Sequence, residues 1–120
     1  MTATVLIVED EPVLALGIAR LLRLHGFEIA GCVGSVSKAL AVIEDADCDI
    51  AVLDVNLRGE TVMPVAELLR QRGRPFVFIS GYDGADLKAI FSDVPVFPKP
   101  FDASELVAVL HQMLQRPDIA

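Results

Sequence analysis

Ile50-Ala51-Val52-Leu53-Asp54-Val55-Asn56-Leu57-Arg58-Gly59 carries the pattern that decides the fold: a wholly apolar run that ends on a carboxylate and passes into a turn. A run that is apolar at every position, and not at every second one, suits a parallel strand covered on both faces. Comparable runs lie on either side of it: Val5-Leu6-Ile7-Val8, Glu28-Ile29-Ala30-Gly31-Cys32-Val33, Phe76-Val77-Phe78-Ile79 and Val94-Pro95-Val96-Phe97. Segments with helical periodicity separate them, so five strands alternate with five helices. Strict βα alternation predicts an α/β protein with helices on both faces of a parallel five-stranded sheet, a three-layer sandwich.

The helices carry their own signals. Leu14, Ile18, Leu21 and Leu22 form one face of the first, and Gly26 follows as its stop. Ala39, Leu40, Val42 and Ile43 mark the second. The third is expected from Pro64, well suited to a first helical position, to Gly73. A short fourth is expected around Ala85 to Phe91. The fifth opens at Asp102 or Ser104 and buries Leu106, Val109, Leu110, Met113 and Leu114. The 120 residues read as one domain with a core from about residue 4 to 115 and no output domain.

Ten Lys and Arg against seventeen Asp and Glu leave a net charge of −7, which repels nucleic-acid phosphates. Arg70, Arg72 and Arg74, the one basic cluster, fall at an expected helix end where cations complement the helix dipole. The amino terminus lacks a signal-peptide pattern, and no segment is apolar for the length of a membrane span, so a soluble cytoplasmic protein is expected. Cys32 and Cys48 have no metal-ligand spacing and read as small buried side chains.

In an open parallel sheet, ligands bind beyond the carboxyl ends of the strands. Strand one ends in Glu9-Asp10, strand three in Asp54, strand four in Ser80, and strand five runs into Lys99. Singly, these residues are ordinary caps, turn residues or solvated charges. In the flavodoxin-like strand order 2-1-3-4-5 they meet at one edge. Three carboxylates gathered there repel one another, and a hard divalent ion such as Mg²⁺ relieves the repulsion while keeping coordination sites for water and phosphate oxygens. A carboxylate beside such an ion can attack phosphorus to give an aspartyl phosphate. A metal, a Lys and a hydroxyl supply the positioning and charge neutralisation that phosphoryl transfer needs.

The strings VLIVEDEP (5–12), VLDVNLRG (52–59), FISGY (78–82) and PKPF (98–101) together resemble the receiver domain of two-component response regulators over nearly the whole chain. The resemblance implies a single-domain response regulator with Asp54 as phosphoacceptor. Mg²⁺ would be bound by Asp10, Asp54 and the backbone carbonyl of Asn56, and by Glu9 through water. Lys99 would pair with a phosphoryl oxygen and Ser80 would hydrogen-bond another. Lys99-Pro100 resembles the family's cis peptide bond. Gly59 suits a loop residue at positive φ, Gly81 leaves room for the phosphate, and Asn56 and Tyr82 resemble positions that tune the lifetime of the phosphorylated state. The implied partners are a sensor histidine kinase or histidine phosphotransfer protein and a downstream regulator protein, with the chain a monomer or weak homodimer. Signal output would be by protein contact, relay or phosphate-sink action.

Two departures stand out. Val96 occupies the place of the family's aromatic switch, three residues before Lys99, and by strand alternation Phe97 should point to the other face. The stretch 75–82 resembles an alphaproteobacterial subgroup of stand-alone receivers with a Phe-Ala-Thr-Gly-Tyr motif, in which Ile79 and Ser80 here replace Ala and Thr. The loop Gly81-Tyr82-Asp83-Gly84 is the expected carrier of the response. His25 and His111 read as surface or packing residues. Val13, Leu16 and Leu24 are expected to widen the buried face of the first helix, with contact to a kinase as the alternative for Leu16. The competing function is a small Mg²⁺-dependent phosphatase of the haloacid dehalogenase type, which would place its nucleophile after the first strand and not, as here, after the third.

Overall fold

The computed structural model describes residues 2–81 and 90–115. The strands are β1 (Thr4–Val8), β2 (Glu28–Val33), β3 (Ile50–Asp54), the two-residue β4 (Asn56–Leu57) and β5 (Glu60–Thr61), β6 (Phe76–Ser80) and β7 (Val96–Pro98). The described helices are α1 (Pro12–Leu24), α2 (Val36–Asp45), α3 (Met63–Gln71) and α4 (Ala103–Gln115). The main sheet has the order β2-β1-β3-β6-β7 with every pairing parallel. Counting only its five strands, this is the expected 2-1-3-4-5.

Alternation along the strands divides the interior in two. Leu6, Val8, Ala51, Leu53, Phe76 and Phe78 pack with residues of α2 and α3. Val5, Ile7, Ile50, Val52, Val77 and Ile79 pack with residues of α1 and α4. Because both faces are covered, β1, β3 and β6 are buried almost throughout, as their uninterrupted apolar runs require. Phe76, Phe78 and Phe91 form a triangle of edge-on rings with centroids 5.5–5.7 Å apart.

Local signals set the helix ends. Ser35 caps α2, its hydroxyl accepting the Lys38 N–H at 3.3 Å. Pro64 lies in the first turn of α3, and Gly73 follows its end at φ 70°. Asp102 caps α4 by accepting hydrogen bonds from the Ser104 N–H at 2.9 Å and hydroxyl at 2.7 Å. The arginines in the last turn of α3 and just after it are structural. Arg70 pairs with Asp93 and lies over Phe76 and Phe91, Arg72 donates to the Ile43 carbonyl, and Arg74 pairs with Asp47 at 2.6 Å. His25 bonds the Leu21 carbonyl through Nδ1, and His111 stacks on Phe27.

Three expectations need correction. β2 is an edge strand whose residues are half-buried or exposed, so Cys32 is exposed while Cys48 is buried. Val13, Leu16 and Leu24 do not widen the buried face of α1 but are exposed, because the stripe of α1 that is buried is the narrower one of Ala15, Ile18, Ala19 and Leu22. In α4, Val107 is buried with Leu106 and Leu110, whereas Val109, Met113 and Leu114 only flank the core. The expected fourth helix lies mostly outside the described residues, as do Tyr82, Asp83 and Gly84 of the loop assigned to the response.

Candidate functional site

The parallel register aligns the carboxyl ends of β1, β3 and β6 and so delivers Glu9, Asp10, Asp54 and Ser80 to one edge. β7 joins them through the Lys99 N–H, which donates to the Ser80 carbonyl at 2.7 Å. The Lys99-Pro100 peptide is cis. Glu9, Asp54 and Ser80 are buried, Asp10 and Lys99 are half-buried, and Asn56 and Gly81 are exposed. A side chain at Gly81 would meet open space.

The Lys99 ammonium stands 2.9 Å from Glu9 Oε1, 3.4 Å from Asp54 Oδ2 and 3.8 Å from Glu11 Oε1. Glu9 Oε2 accepts the Glu11 N–H at 3.0 Å, and Asp54 Oδ1 accepts the Asn56 N–H at 3.4 Å. Beyond Asp54 the chain turns through Arg58 at φ 51° and Gly59 at φ 87°, the paired positive φ of a tight two-residue hairpin joining β4 to β5. The Asn56 side chain supports this turn, Oδ1 accepting the Gly59 N–H at 2.9 Å. Arg58 Nε then lies 3.6 Å from Asp10 Oδ2.

Burial sets the electrostatics. It pushes the Glu9 carboxyl up to about 7, overcoming the opposite pull of the Glu11 N–H and Lys99. It also raises Asp54 above the ordinary carboxylate range, although Glu9, Lys99 and the Asn56 N–H oppose the rise. For Lys99 burial acts downward, but Glu9 and Asp54 outweigh it and hold the ammonium above its usual range. A single cation shared between two buried carboxylates leaves a deficit of positive charge.

A divalent cation would fit this deficit. One oxygen each of Glu9, Asp10 and Asp54 lies within 4.8 Å of the others. Glu9 Oε1 is buried, and its close contact among the described residues is the Lys99 ammonium at 2.9 Å, which is shared with Asp54. An all-oxygen, partly open donor set in which two buried carboxylates share one ammonium suits a hard ion that keeps some of its water.

The expected site residues Glu9, Asp10, Asp54, Asn56, Ser80, Gly81 and Lys99 thus share one edge, and Tyr82 lies outside the described residues. Sequence reasoning gave no role to Arg58, whose contact depends on the left-handed turn, or to Glu11 beside Lys99; the pair Arg58-Gly59 was the available signal. Val96 and Phe97 face opposite sides of the sheet, Val96 toward the α2–α3 layer and Phe97 toward the α1–α4 layer, where it meets Phe101.

Residues 5–111 match the family described as response regulator receiver domain. The sensory transduction protein RegX3 of Mycolicibacterium smegmatis is 38% identical over 117 residues, which cover 94% of this chain and 51% of that protein. The chain spans about half the length of the first curated relatives it matches. Among solved structures, SdrG of Sphingomonas melonis Fr1 is 41% identical, with a TM-score of 0.81 and coverage of 94% of this chain and 97% of that one. SdrG has also been solved in a BeF3-activated conformation, with a TM-score of 0.78 and coverage of 95% and 99%. The receiver domain of PhyR from Erythrobacter litoralis superposes with a TM-score of 0.86 at 26% identity, covering 99% of this chain and 97% of that one. Flavodoxin-like topology, a carboxylate edge facing one lysine, and a family match over most of its length agree: this chain belongs to the response regulator receiver domain family.

Proposed function

We propose that Asp54 accepts a phosphoryl group from a phosphohistidine of a sensor kinase or histidine phosphotransfer protein, and that the phosphorylated chain signals through protein contacts, by relay or as a phosphate sink. The observation that carries this reading is the placement of buried Asp54 beside Lys99 and within the acidic cluster it forms with Glu9 and Asp10, which could hold a metal ion. Mg²⁺ held by Asp10, Asp54 and the Asn56 carbonyl, with Glu9 acting through water, would neutralise charge on the carboxylates and phosphoryl oxygens. An Asp54 carboxylate oxygen forms the new bond to phosphorus as the P–N bond breaks. Its electron pair goes to the imidazole nitrogen, and the ring leaves neutral when its other nitrogen carries a proton. Lys99 exchanges its contact with Asp54 for a phosphoryl oxygen, and the Ser80 hydroxyl takes another.

The response is expected to spread from Ser80 into the adjoining loop, because Val96 offers no ring to rotate. Exposed Leu16 on α1 is proposed as a contact for the helical hairpin of the donor. A phosphorylated histidine kinase should transfer one equivalent to the wild type, leaving a base-labile acyl phosphate, and Leu16→Glu should slow transfer without unfolding the protein. Repeated turnover of a phosphate ester would instead support the phosphatase reading.

A further inference from the structure

Lys99 and Arg58 both pair with carboxylates of the acidic edge, and they are held differently. Lys99 lies between Glu9 and Asp54 with its side chain 20% exposed. Among the described residues Arg58 pairs with Asp10, and its side chain is 77% exposed. Its backbone, by contrast, is pinned. The antiparallel pairs Asn56 with Thr61 and Leu57 with Glu60, together with the Asn56 to Gly59 hydrogen bond, hold the hairpin. Arg58 therefore presents a guanidinium to Asp10 from a fixed base while the guanidinium itself can swing. A recess of about 460 Å³ beside it, lined also by Ser35, Lys38 and Glu60, gives room for that movement and offers Glu60 as a second carboxylate on the same hairpin.

We propose that Arg58 sets the divalent-cation affinity of the acidic edge: it is the resident counter-ion of Asp10, and an entering cation has to displace it. The inference rests on the reading of Glu9, Asp10 and Asp54 as a cation site and adds a determinant of its affinity. Asp10 is the outermost of the three carboxylates and the one an incoming ion meets first. A guanidinium on Asp10 repels that ion and occupies one of its ligands. Charges in this water-exposed geometry are strongly screened, so removing the positive charge is expected to tighten binding by about threefold at low salt.

The test is calorimetric titration of the metal-free protein with Mg²⁺ at low and high ionic strength, with amide spectra recorded to establish folding. Arg58→Gln keeps a polar, unbranched side chain and removes the charge, and Arg58→Asn removes it with a residue at ease at positive φ. Both should bind Mg²⁺ about threefold more tightly than wild type at low salt, with the gap closing as salt rises. Arg58→Lys should bind like wild type. Equal or weaker binding by both neutral variants, or tightening by Arg58→Lys to the same degree, would overturn the role of Arg58 while leaving the cation site in place. A wild type that binds no Mg²⁺ would overturn the site reading together with this inference.

Discussion

The middle of the sheet and its carboxyl edge are equally buried but respond to burial in opposite ways. Leu53 and Asp54 are consecutive residues of β3, at 0% and 4% exposure. Leu53 gains from leaving water, whereas Asp54 loses hydration that Lys99 only partly replaces. Glu9 makes the same contrast with Val8 on β1. One strand therefore stabilises the fold for most of its length and gives up some stability at its last position, where the site lies.

The largest test of this contrast is in the interior. Phe78→Ala removes a fully buried ring from the Phe76–Phe78–Phe91 triangle and should destabilise the protein by about 3–5 kcal/mol in denaturant titrations. At the edge the sign should reverse. Glu9→Gln, in metal-free protein near pH 8, should be more stable than wild type by on the order of 1–3 kcal/mol, because the buried charge is removed.

That gain should depend on pH. The Glu9 carboxyl is raised from 4.5 to about 7 in the folded protein, so between those values the folded state holds the proton more tightly than the unfolded chain. The favourable contribution is full below 4.5 and is lost as pH rises through about 7, so Glu9→Gln gains on wild type across that window. Thermal melts of both proteins from pH 4 to 8 check it; a difference that stayed flat would show that the edge is no more strained than the interior.

The smallest effect belongs to a half-buried pair remote from the edge. Arg74 holds Asp47 below the ordinary carboxylate range, but both side chains are more than a third exposed. Arg74→Met should therefore cost less than about 1 kcal/mol at pH 7. The lowered Asp47 contributes above its unfolded value, and this part of the loss should fade as pH falls through the folded value. A loss comparable to that of Phe78→Ala would mean that charge position matters less than supposed.

What the sequence made legible follows the same division. β1, β3 and β6 were readable because strands covered on both faces must be apolar at every position, and the carboxyl edge was readable because parallel strands all end there. The opposite orientation of Val96 and Phe97 followed from alternation alone. The expected order 2-1-3-4-5 already put β2 at the sheet edge, but its apolar run did not show how far its residues would be left uncovered. Leu16 reads from the sequence as widening the buried face, with exposure as the alternative, and the structure takes the alternative, burying Ala15, Ile18, Ala19 and Leu22 of α1 instead. Arg58 was missed as a site neighbour because its reach to Asp10 depends on a left-handed backbone that few non-glycine residues adopt, and the Gly59 after it was the signal of that turn.

The most direct test of the central claim is intact mass after incubation with a small phosphodonor and Mg²⁺, for wild type and Asp54→Asn. The placement of Asp54 beside Lys99 and the acidic cluster predicts a single phosphoryl adduct on wild type and none on Asp54→Asn. An adduct that persists in Asp54→Asn, or a wild type that never acquires one, would contradict it.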